Sequence, residues 1–267
     1  MNTAPTSSTQ LLPNLWILGI AVNRYESPDV PPLHYAVPDV HAIADAFAAQ
    51  KGRLFGDVHT LVLADDAPLK PTRENIIDNL DFLRKAGQND FALLFVSGHG
   101  ANDAAGSYFF IPSDFAFQSD GSFRPSRAVS RRDLIAVLDI PAHKLVLLDT
   151  CHSEGIRGKR AESAGTLRAT DNDRLVKELQ DSGAVVFASS RGRELSIEKP
   201  EWGHGAFTYA LLQGLNGEAT RLHPDVITMK ELDAYVSAKV PQLTQGMQHP
   251  VTYTPDGYVD FPVAKRK

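Results

Sequence analysis

Two short apolar segments, each ending in a reactive side chain, most constrain what this chain can fold into. They are residues 90–100, DFALLFVSGHG, and residues 144–155, KLVLLDTCHSEG. Each is a run of apolar and β-branched residues, too short for a helix, that changes abruptly to small and polar residues. This pattern is typical of a strand buried on both faces. The sequence therefore predicts two central strands of a parallel sheet.

The two predicted strands end in His99, which stands between glycines, and in Cys151, the only cysteine of the 267-residue chain. Ligands of open parallel sheets bind outside the carboxyl ends of the strands, so both side chains are expected at one edge. A thiolate attacks a carbonyl group and a thiol does so poorly, whereas an imidazole can take the thiol proton and later protonate the departing amine. The pair predicts nucleophilic catalysis by a Cys–His dyad.

The motifs SGHG around His99 and DTCHSEG around Cys151 resemble those of the caspase-like cysteine peptidases, and within them of the metacaspase and orthocaspase branch. Residues 61–77, LVLADDAPLKPTRENII, and residues 187–215 resemble two further segments of that branch, in the same order. The resemblance extends over about residues 15–261. One departure is Glu154, which stands where the family has glycine after the serine.

The fold that this resemblance implies is a caspase-like α/β fold, with a central, mostly parallel sheet of about six strands flanked by helices on both faces. Alternating strand and helix signals favour one domain, which we assign to residues 14–263. The Ser/Thr/Pro-rich residues 1–13 are expected to be a flexible leader or the stub of a linker, and residues 264–267 a tail. A helix is predicted to open at Pro38-Asp39, and Thr72 and Thr228 are predicted to cap later helices.

The resemblance also implies the roles of several site residues. The backbone N–H groups of Gly100 and Cys151 would form the oxyanion hole, and Asp149, Asp39 and Ser97 would line the first specificity pocket. Carboxylates there favour a substrate with Arg or Lys before the scissile bond, because a guanidinium binds a carboxylate bidentately. Caspases that cut after aspartate place an arginine where this chain has Tyr35. A loop-anchoring role for Asp149 and a helix-capping role for Asp39 are the structural alternatives.

The segment after the strand that contains Phe187 borders the substrate groove in the family. It carries Arg191, Arg193 and Glu194. Either arginine pointing inward would favour an acidic substrate, whereas Glu194 could pair with an arginine or add to an acidic pocket. His204, in a GHG at a predicted helix start, is a further residue expected near the site, and the other histidines are interpreted as ordinary polar residues.

Residues 156–170, IRGKRAESAGTLRAT, are small and basic with almost nothing to bury. The segment is expected to be an exposed, cleavable loop. An enzyme that cuts after basic residues would find a substrate beside its own nucleophile. The candidate self-cleavage positions are Arg157, Lys159, Arg160 and Arg168.

Composition and spacing argue against several other classes. A net charge of −5 without a basic stripe argues against nucleic-acid binding. The longest apolar run, residues 15–22, is too short for a membrane span, and one cysteine is consistent with a reducing cytoplasm. A zinc site at Cys151 and His152 lacks the usual ligand spacing, so no metal or other cofactor is expected for the chemistry. Many metacaspases require calcium, but the loop carboxylates Asp103, Asp114 and Asp120 form no recognisable calcium motif.

The sequence thus predicts a cysteine endopeptidase that acts on protein or peptide substrates through an acyl-enzyme, cuts after Arg or Lys, and processes itself. Further domains or regulatory partners of a longer protein stay open. Two alternatives remain: a caspase-like module that cuts after acidic residues, and a catalytically idle recruitment or signalling domain, since fold alone does not establish function. A nucleotide-binding domain is disfavoured because NRYESP, not a glycine-rich loop, follows the first strand.

Overall fold

The structure is a computed structural model that describes residues 11–103, 105–152, 173–191, 194–219 and 222–266, with the backbone alone at 151, 152, 173 and 174. Its strands are, in chain order, β1 (Leu15–Ala21), β2 (Val58–Leu63), β3 (Phe91–Asn102), β4 (Tyr108–Phe110), β5 (Val129–Ser130), β6 (His143–His152), β7 (Val185–Ala188), β8 (Glu198–Lys199), β9 (His204–Gly205), β10 (Val226–Thr228), β11 (Val251–Tyr253) and β12 (Pro262–Lys265). Its α-helices are α1 (Ala36–Ala48), α2 (Arg73–Asn79), α3 (Arg131–Ala136), α4 (Asp173–Asp181), α5 (Ala206–Gln213) and α6 (Met229–Leu243).

One twisted sheet organises the chain. Its main path runs in the order β11-β7-β6-β3-β1-β2, and all neighbours on this path are parallel except β11, which pairs antiparallel with β7. The two strands predicted from the apolar runs, β3 and β6, are direct neighbours at its centre. A mostly parallel sheet with six strands along its path confirms the predicted fold class.

Alternate residues of the central strands pack into two separate cores. In β3, Leu93 and Phe95 join a core with α1, α5 and α6, whereas Leu94 and Val96 join a second core with α2, α3 and α4. All four side chains are at most 1% exposed. Because burial of each such side chain stabilises the fold by about 1.5–3 kcal/mol, both sheet faces require helices.

Helix caps follow the sequence signals. Thr72 accepts a hydrogen bond from the N–H of Asn75 at the start of α2, and Thr228 forms a capping box with Glu231 at the start of α6. Both predicted caps are confirmed. Helix α1 begins at Ala36, two residues before the predicted start at Pro38-Asp39. Proline is tolerated in the first turn of a helix, because the N–H group that it lacks would be unpaired there anyway.

The last part of the chain forms two strands. Strand β11 extends the main sheet, whereas β12 pairs antiparallel with β10 and reaches Lys265, inside the segment 264–267 that the sequence suggested was a tail. Strands β8 and β9, of two residues each, form a separate hairpin that sequence periodicity is too short to reveal. None of the helices in the described part of the chain is long and apolar enough to cross a membrane.

Candidate active site

The backbone brings the two predicted catalytic positions together at the carboxyl end of the sheet. In the parallel register of β3 and β6, His99 is the partner of Cys151, and Ser97 is the partner of Asp149. Neighbouring strands lie about 4.8 Å apart, so the backbones of His99 and Cys151 are adjacent. Residues distant in sequence therefore meet because each ends one of two neighbouring buried strands.

The loop after β1 holds the imidazole of His99. The Nε2 atom of His99 lies 2.9 Å from the carbonyl oxygen of Pro31, and the His99 N–H donates a 3.0 Å hydrogen bond to the Tyr25 hydroxyl. The ring of Tyr25 lies against the imidazole, with 5.2 Å between centroids. A carbonyl oxygen can only accept, so Nε2 carries the proton of this hydrogen bond.

The second ring nitrogen of His99 is left as the acceptor. Nδ1 is buried and has no hydrogen-bond partner among the described residues. The side chain is buried, and burial lowers the pKa of His99, an effect that the hydrogen bond to Pro31 opposes. The neutral imidazole with Nδ1 free to take a proton is therefore the favoured form of this residue.

Glycines on both sides of His99 let two aromatic side chains of β4 approach strand β3. A Cβ atom at Gly98, where φ is +152°, would lie 2.9 Å from Phe110, and one at Gly100 would lie 2.7 Å from Tyr108. Both distances are shorter than real Cβ contacts. Packing against β4 thus explains both glycines of the SGHG pattern.

Two buried carboxylates lie beside the dyad positions. Asp149 is 4% exposed and Asp39, in the first turn of α1, is 1% exposed. A Cβ atom at Gly205 would lie 3.2 Å from Oδ2 of each of them, so both carboxylates face the same glycine. The structure brings together Asp39, Ser97 and Asp149, all buried.

The surroundings strongly disfavour ionisation of Asp149. Burial raises the pKa of Asp149 to about 7, the charge of Asp39 adds to the rise, and hydrogen bonds from Ser189 and Ser196 oppose it. Oδ1 of Asp149 is buried with no hydrogen-bond partner among the described residues. This carboxylate therefore has both an unsatisfied oxygen and a strong electrostatic preference for a cation nearby.

Asp39, in contrast, already has partners. Its Oδ1 lies 2.6 Å from Nδ1 of His204, and its Oδ2 accepts a 3.2 Å hydrogen bond from the N–H of Gly205. Burial raises the pKa of Asp39 to about 6, and the hydrogen bond and charge of His204 oppose the rise. The side chain of Asp39 caps no helix N–H, because the residue at the N-cap of α1 is Tyr35.

A third carboxylate near this pair was not singled out in the sequence. Glu198 accepts hydrogen bonds from the N–H groups of His34 and Tyr35, each 3.2 Å long, and its charge contributes to the raised pKa of Asp39 and Asp149. Glu198 lies on the two-residue strand β8, 163 positions from Tyr35. The sequence signals in this part of the chain were the resemblance of residues 187–215 and the GHG motif, and neither singled out Glu198.

The predicted groove residues have other partners. Glu194 binds His249, with 2.9 Å between the carboxylate and Nδ1, and accepts the His249 N–H at 2.7 Å. The guanidinium of Arg191 lies 3.8 Å from Glu194, and its side chain is 60% exposed. Glu194 is therefore tied to the loop before β11. Arg193 lies outside the described residues, as do the candidate self-cleavage positions Arg157, Lys159, Arg160 and Arg168.

The loop carboxylates considered for calcium accept hydrogen bonds from backbone N–H groups. Asp103 accepts the N–H groups of Ala105 and Ser107, and Asp114 accepts that of Arg73. Asp120 accepts the N–H of Ser122. No group of three or more His, Cys, Asp or Glu side chains that could hold a metal ion occurs among the residues that the structure describes.

Comparison with known proteins identifies the family of the chain. A family model described as the caspase domain matches residues 16–258. Metacaspase-9 of Arabidopsis thaliana is 26% identical over 154 residues, which is 52% of this chain and 44% of that protein. Metacaspase-8 of the same plant is 26% identical over 144 residues, 50% of this chain and 36% of that protein. The chain thus matches less than half the length of each relative.

The family match extends from β1 to the segment before β12 and includes both central strands with His99 and Cys151. This chain belongs to the caspase domain family and is similar to its metacaspase-like members.

Proposed function

We propose that this chain is a cysteine endopeptidase in which Cys151 is the nucleophile and His99 the general base and acid. The single observation that carries the proposal is the hydrogen bonding of the two ring nitrogens of His99, beside the Cys151 backbone. Its Nε2 is engaged by Pro31, and its buried Nδ1 has no partner among the described residues. An imidazole held in this tautomer is prepared to accept a thiol proton.

The reaction follows from these roles. Nδ1 of His99 takes the thiol proton, and the sulfur of Cys151 bonds to the substrate carbonyl carbon, whose π electrons move to the oxygen. The N–H groups of Gly100 and Cys151 stabilise that oxyanion, a kind of contact worth about 3–4 kcal/mol per donor. The C–N bond then breaks as His99 gives its proton to the amine, and water, deprotonated by His99, hydrolyses the thioester.

The buried carboxylates support a preference for Arg or Lys before the scissile bond. Asp149 has an oxygen without a partner among the described residues, and a pKa raised to about 7 makes its ionised form costly until a cation arrives. A guanidinium or ammonium group would offset that cost. Cleavage after acidic residues has less support, because Arg191 is largely exposed and lies near Glu194.

The proposal is tested with fluorogenic peptides that end in Arg, Lys, Asp or citrulline, the neutral isostere of arginine. At about pH 8, with and without calcium, the wild type is expected to cleave the Arg and Lys peptides. Cys151→Ala and His99→Ala are expected to lose at least about 10³-fold in kcat/KM on every peptide. Asp149→Asn is expected to lose the Arg-over-citrulline preference selectively.

Exposed His41 provides the control, because its imidazole pairs with the exposed Asp66 and has no part in the proposed reaction, so His41→Asn should leave all rates unchanged. Full activity of Cys151→Ala would refute the proposed nucleophile. Cleavage of the Asp peptide alone would refute the basic preference and favour the acidic alternative. Failure of the wild type to cleave any peptide in either condition would favour a recruitment domain.

A further inference from the structure

The pair formed by His204 and Asp39 has no role in the reaction described above. Asp39 is 1% exposed, the side chain of His204 is 22% exposed, and 2.6 Å separate Nδ1 from Oδ1. So short a distance is typical of a charge-assisted hydrogen bond. The pair joins α1 to β9, and Gly205, next to His204, is the glycine that both buried carboxylates face.

The two carboxylates are not equivalent. Both oxygens of Asp39 have partners, His204 and the Gly205 N–H, whereas Oδ1 of Asp149 has none among the described residues. Two ionised carboxylates this close repel each other, so a cation held at one of them changes what the other can bind. The imidazole of His204 lies where it can be that cation for Asp39.

The remaining charged groups around the pair do not take over this role. Glu198 on β8 is also an anion and accepts two backbone hydrogen bonds from the loop before α1. Lys199 is the cross-strand partner of His204, but its ammonium lies over the ring of Trp202, 5.0 Å from the centroid. Among the described residues, the imidazole of His204 is thus the basic side chain in contact with Asp39.

We propose that His204 is a specificity-determining residue that compensates the charge of Asp39, so that Asp149 alone receives the basic side chain of the substrate. The inference rests on the proposed function, because it assigns the parts of the same pocket. It differs from the expectation that Asp39 itself contacts the substrate cation. In this assignment the pocket offers one uncompensated buried carboxylate and takes one positive charge.

The assignment makes a definite prediction for charge removal. In Asp39→Asn, a protonated His204 would face the incoming cation without its counter-ion, and the preference for arginine should fall about tenfold, the effect of one unscreened like charge near the site. In Asp39→Asn with His204→Asn, both charges leave together. The preference should then return to within about threefold of its original value.

The experiment measures binding, so that neither turnover nor self-processing is needed. In the full chain carrying Cys151→Ala, calorimetry gives the Kd of an arginine-ending peptide and of its citrulline counterpart. Their ratio isolates the charge-specific part of binding, which a merely structural defect would not change selectively. Every variant is measured at the same pH, so that the ratios can be compared directly.

The exposed pair of His41, also on α1, and Asp66 is the matched control, with 2.9 Å between the two groups. Asp66→Asn with His41→Asn should leave the ratio unchanged. Recovery of the ratio in the double pocket variant supports the role of His204.

Three results would overturn the inference while leaving the basic preference intact. A double variant that binds arginine as poorly as Asp39→Asn, or more poorly, would mean that Asp39 contacts the substrate itself. An unchanged ratio in Asp39→Asn would mean that His204 brings no charge into the pocket. A tenfold fall in His204→Asn alone would mean that the imidazole binds the substrate directly. Equal Kd values for the two peptides in the Cys151→Ala parent would refute the basic preference and the inference together.

Discussion

At the scale of single residues, the site depends on how a few buried polar groups are paired. His99 has one ring nitrogen engaged by Pro31 and one without a partner among the described residues. Asp39 is paired with His204, and Asp149 retains an unsatisfied oxygen. In a buried environment each unsatisfied group costs stability, so such groups are typical of sites that bind or react.

The raised pKa of Asp149 predicts a pH-dependent loss of stability. A carboxyl group with a folded-state pKa of about 7 binds its proton more tightly than the same group in the unfolded chain. Asp149 therefore destabilises the fold progressively as the pH rises from about 4 to 7, by at most roughly 4 kcal/mol. In the Cys151→Ala chain, Asp149→Asn should raise the Tm increasingly over this range, as followed by circular dichroism.

The control for that titration is a carboxyl group with the opposite shift. Lys51 lowers the pKa of the exposed Asp57, so Asp57→Asn should lose a little stability above pH 4 instead of gaining it. If Asp149→Asn raises the Tm by the same amount at pH 4.5 and pH 8, the ionisation of buried Asp149 does not destabilise the fold.

At the scale of elements, strand β3 carries the site because it continues past the point where β1 ends. Its last residues pair with β6 on one side, and 100–102 also pair antiparallel with β4. Gly98 and Gly100 permit this second pairing, because the rings of Phe110 and Tyr108 lie against the strand where a side chain would be. The β4 strand therefore fixes the direction of the backbone around His99.

Gly100→Ala tests this packing. The added methyl group would lie 2.7 Å from the ring of Tyr108, which is buried and cannot move aside freely. We expect a loss of about 1–3 kcal/mol and a Tm lower by roughly 3–10 °C. The Gly100 N–H would also shift, so kcat on peptides should fall more than KM changes.

Gly87→Ala is the matched control for the glycine substitution. The nearest atom to its added Cβ, Oδ2 of Asp90, would lie at an ordinary 3.6 Å. A change below about 0.5 kcal/mol is expected there. A Gly100→Ala protein as stable and active as the wild type would show that β4 tolerates a side chain at this position.

At the scale of the whole molecule, the sheet gathers residues from distant parts of the chain around one edge. Tyr25 and Pro31 come from the loop after β1, His204 from β9, and Asp149 from β6. The chain leaves β6 at His152, one residue after Cys151, and enters α4 at Asp173. The basic segment 156–170 therefore starts close along the chain to the proposed nucleophile.

This connectivity predicts self-processing. Purified wild type is expected to yield two fragments with new ends after Arg157, Lys159, Arg160 or Arg168, as identified by mass spectrometry. Cys151→Ala should stay intact, because the nucleophile is absent. A chain in which all four basic residues are replaced by Gln should also stay intact yet keep its activity on short peptides. Wild type that cleaves peptides and remains whole would contradict the prediction.

The sequence by itself determined the central strands, the helices α1, α2 and α6, and the caps of the last two. Those features depend on local patterns: buried apolar runs for β3 and β6, and Thr72 and Thr228 before helical periodicity. The same patterns located His99, Cys151 and Asp149, because each stands at or near the end of a predicted strand. The short strands β5 and β8–β10 escaped, since two or three residues carry no detectable period.

Only the tertiary structure decided which polar groups pair. Asp39 and His204 are 165 positions apart, and Pro31 and His99 are 68 positions apart. Neither pair leaves a mark in local sequence, because each depends on how loops from different elements close over the same sheet edge. The sequence therefore determined the positions of the reactive side chains along the strands. Packing determined which of these side chains have a buried polar atom without a hydrogen-bond partner among the described residues, and such an atom can bind a substrate.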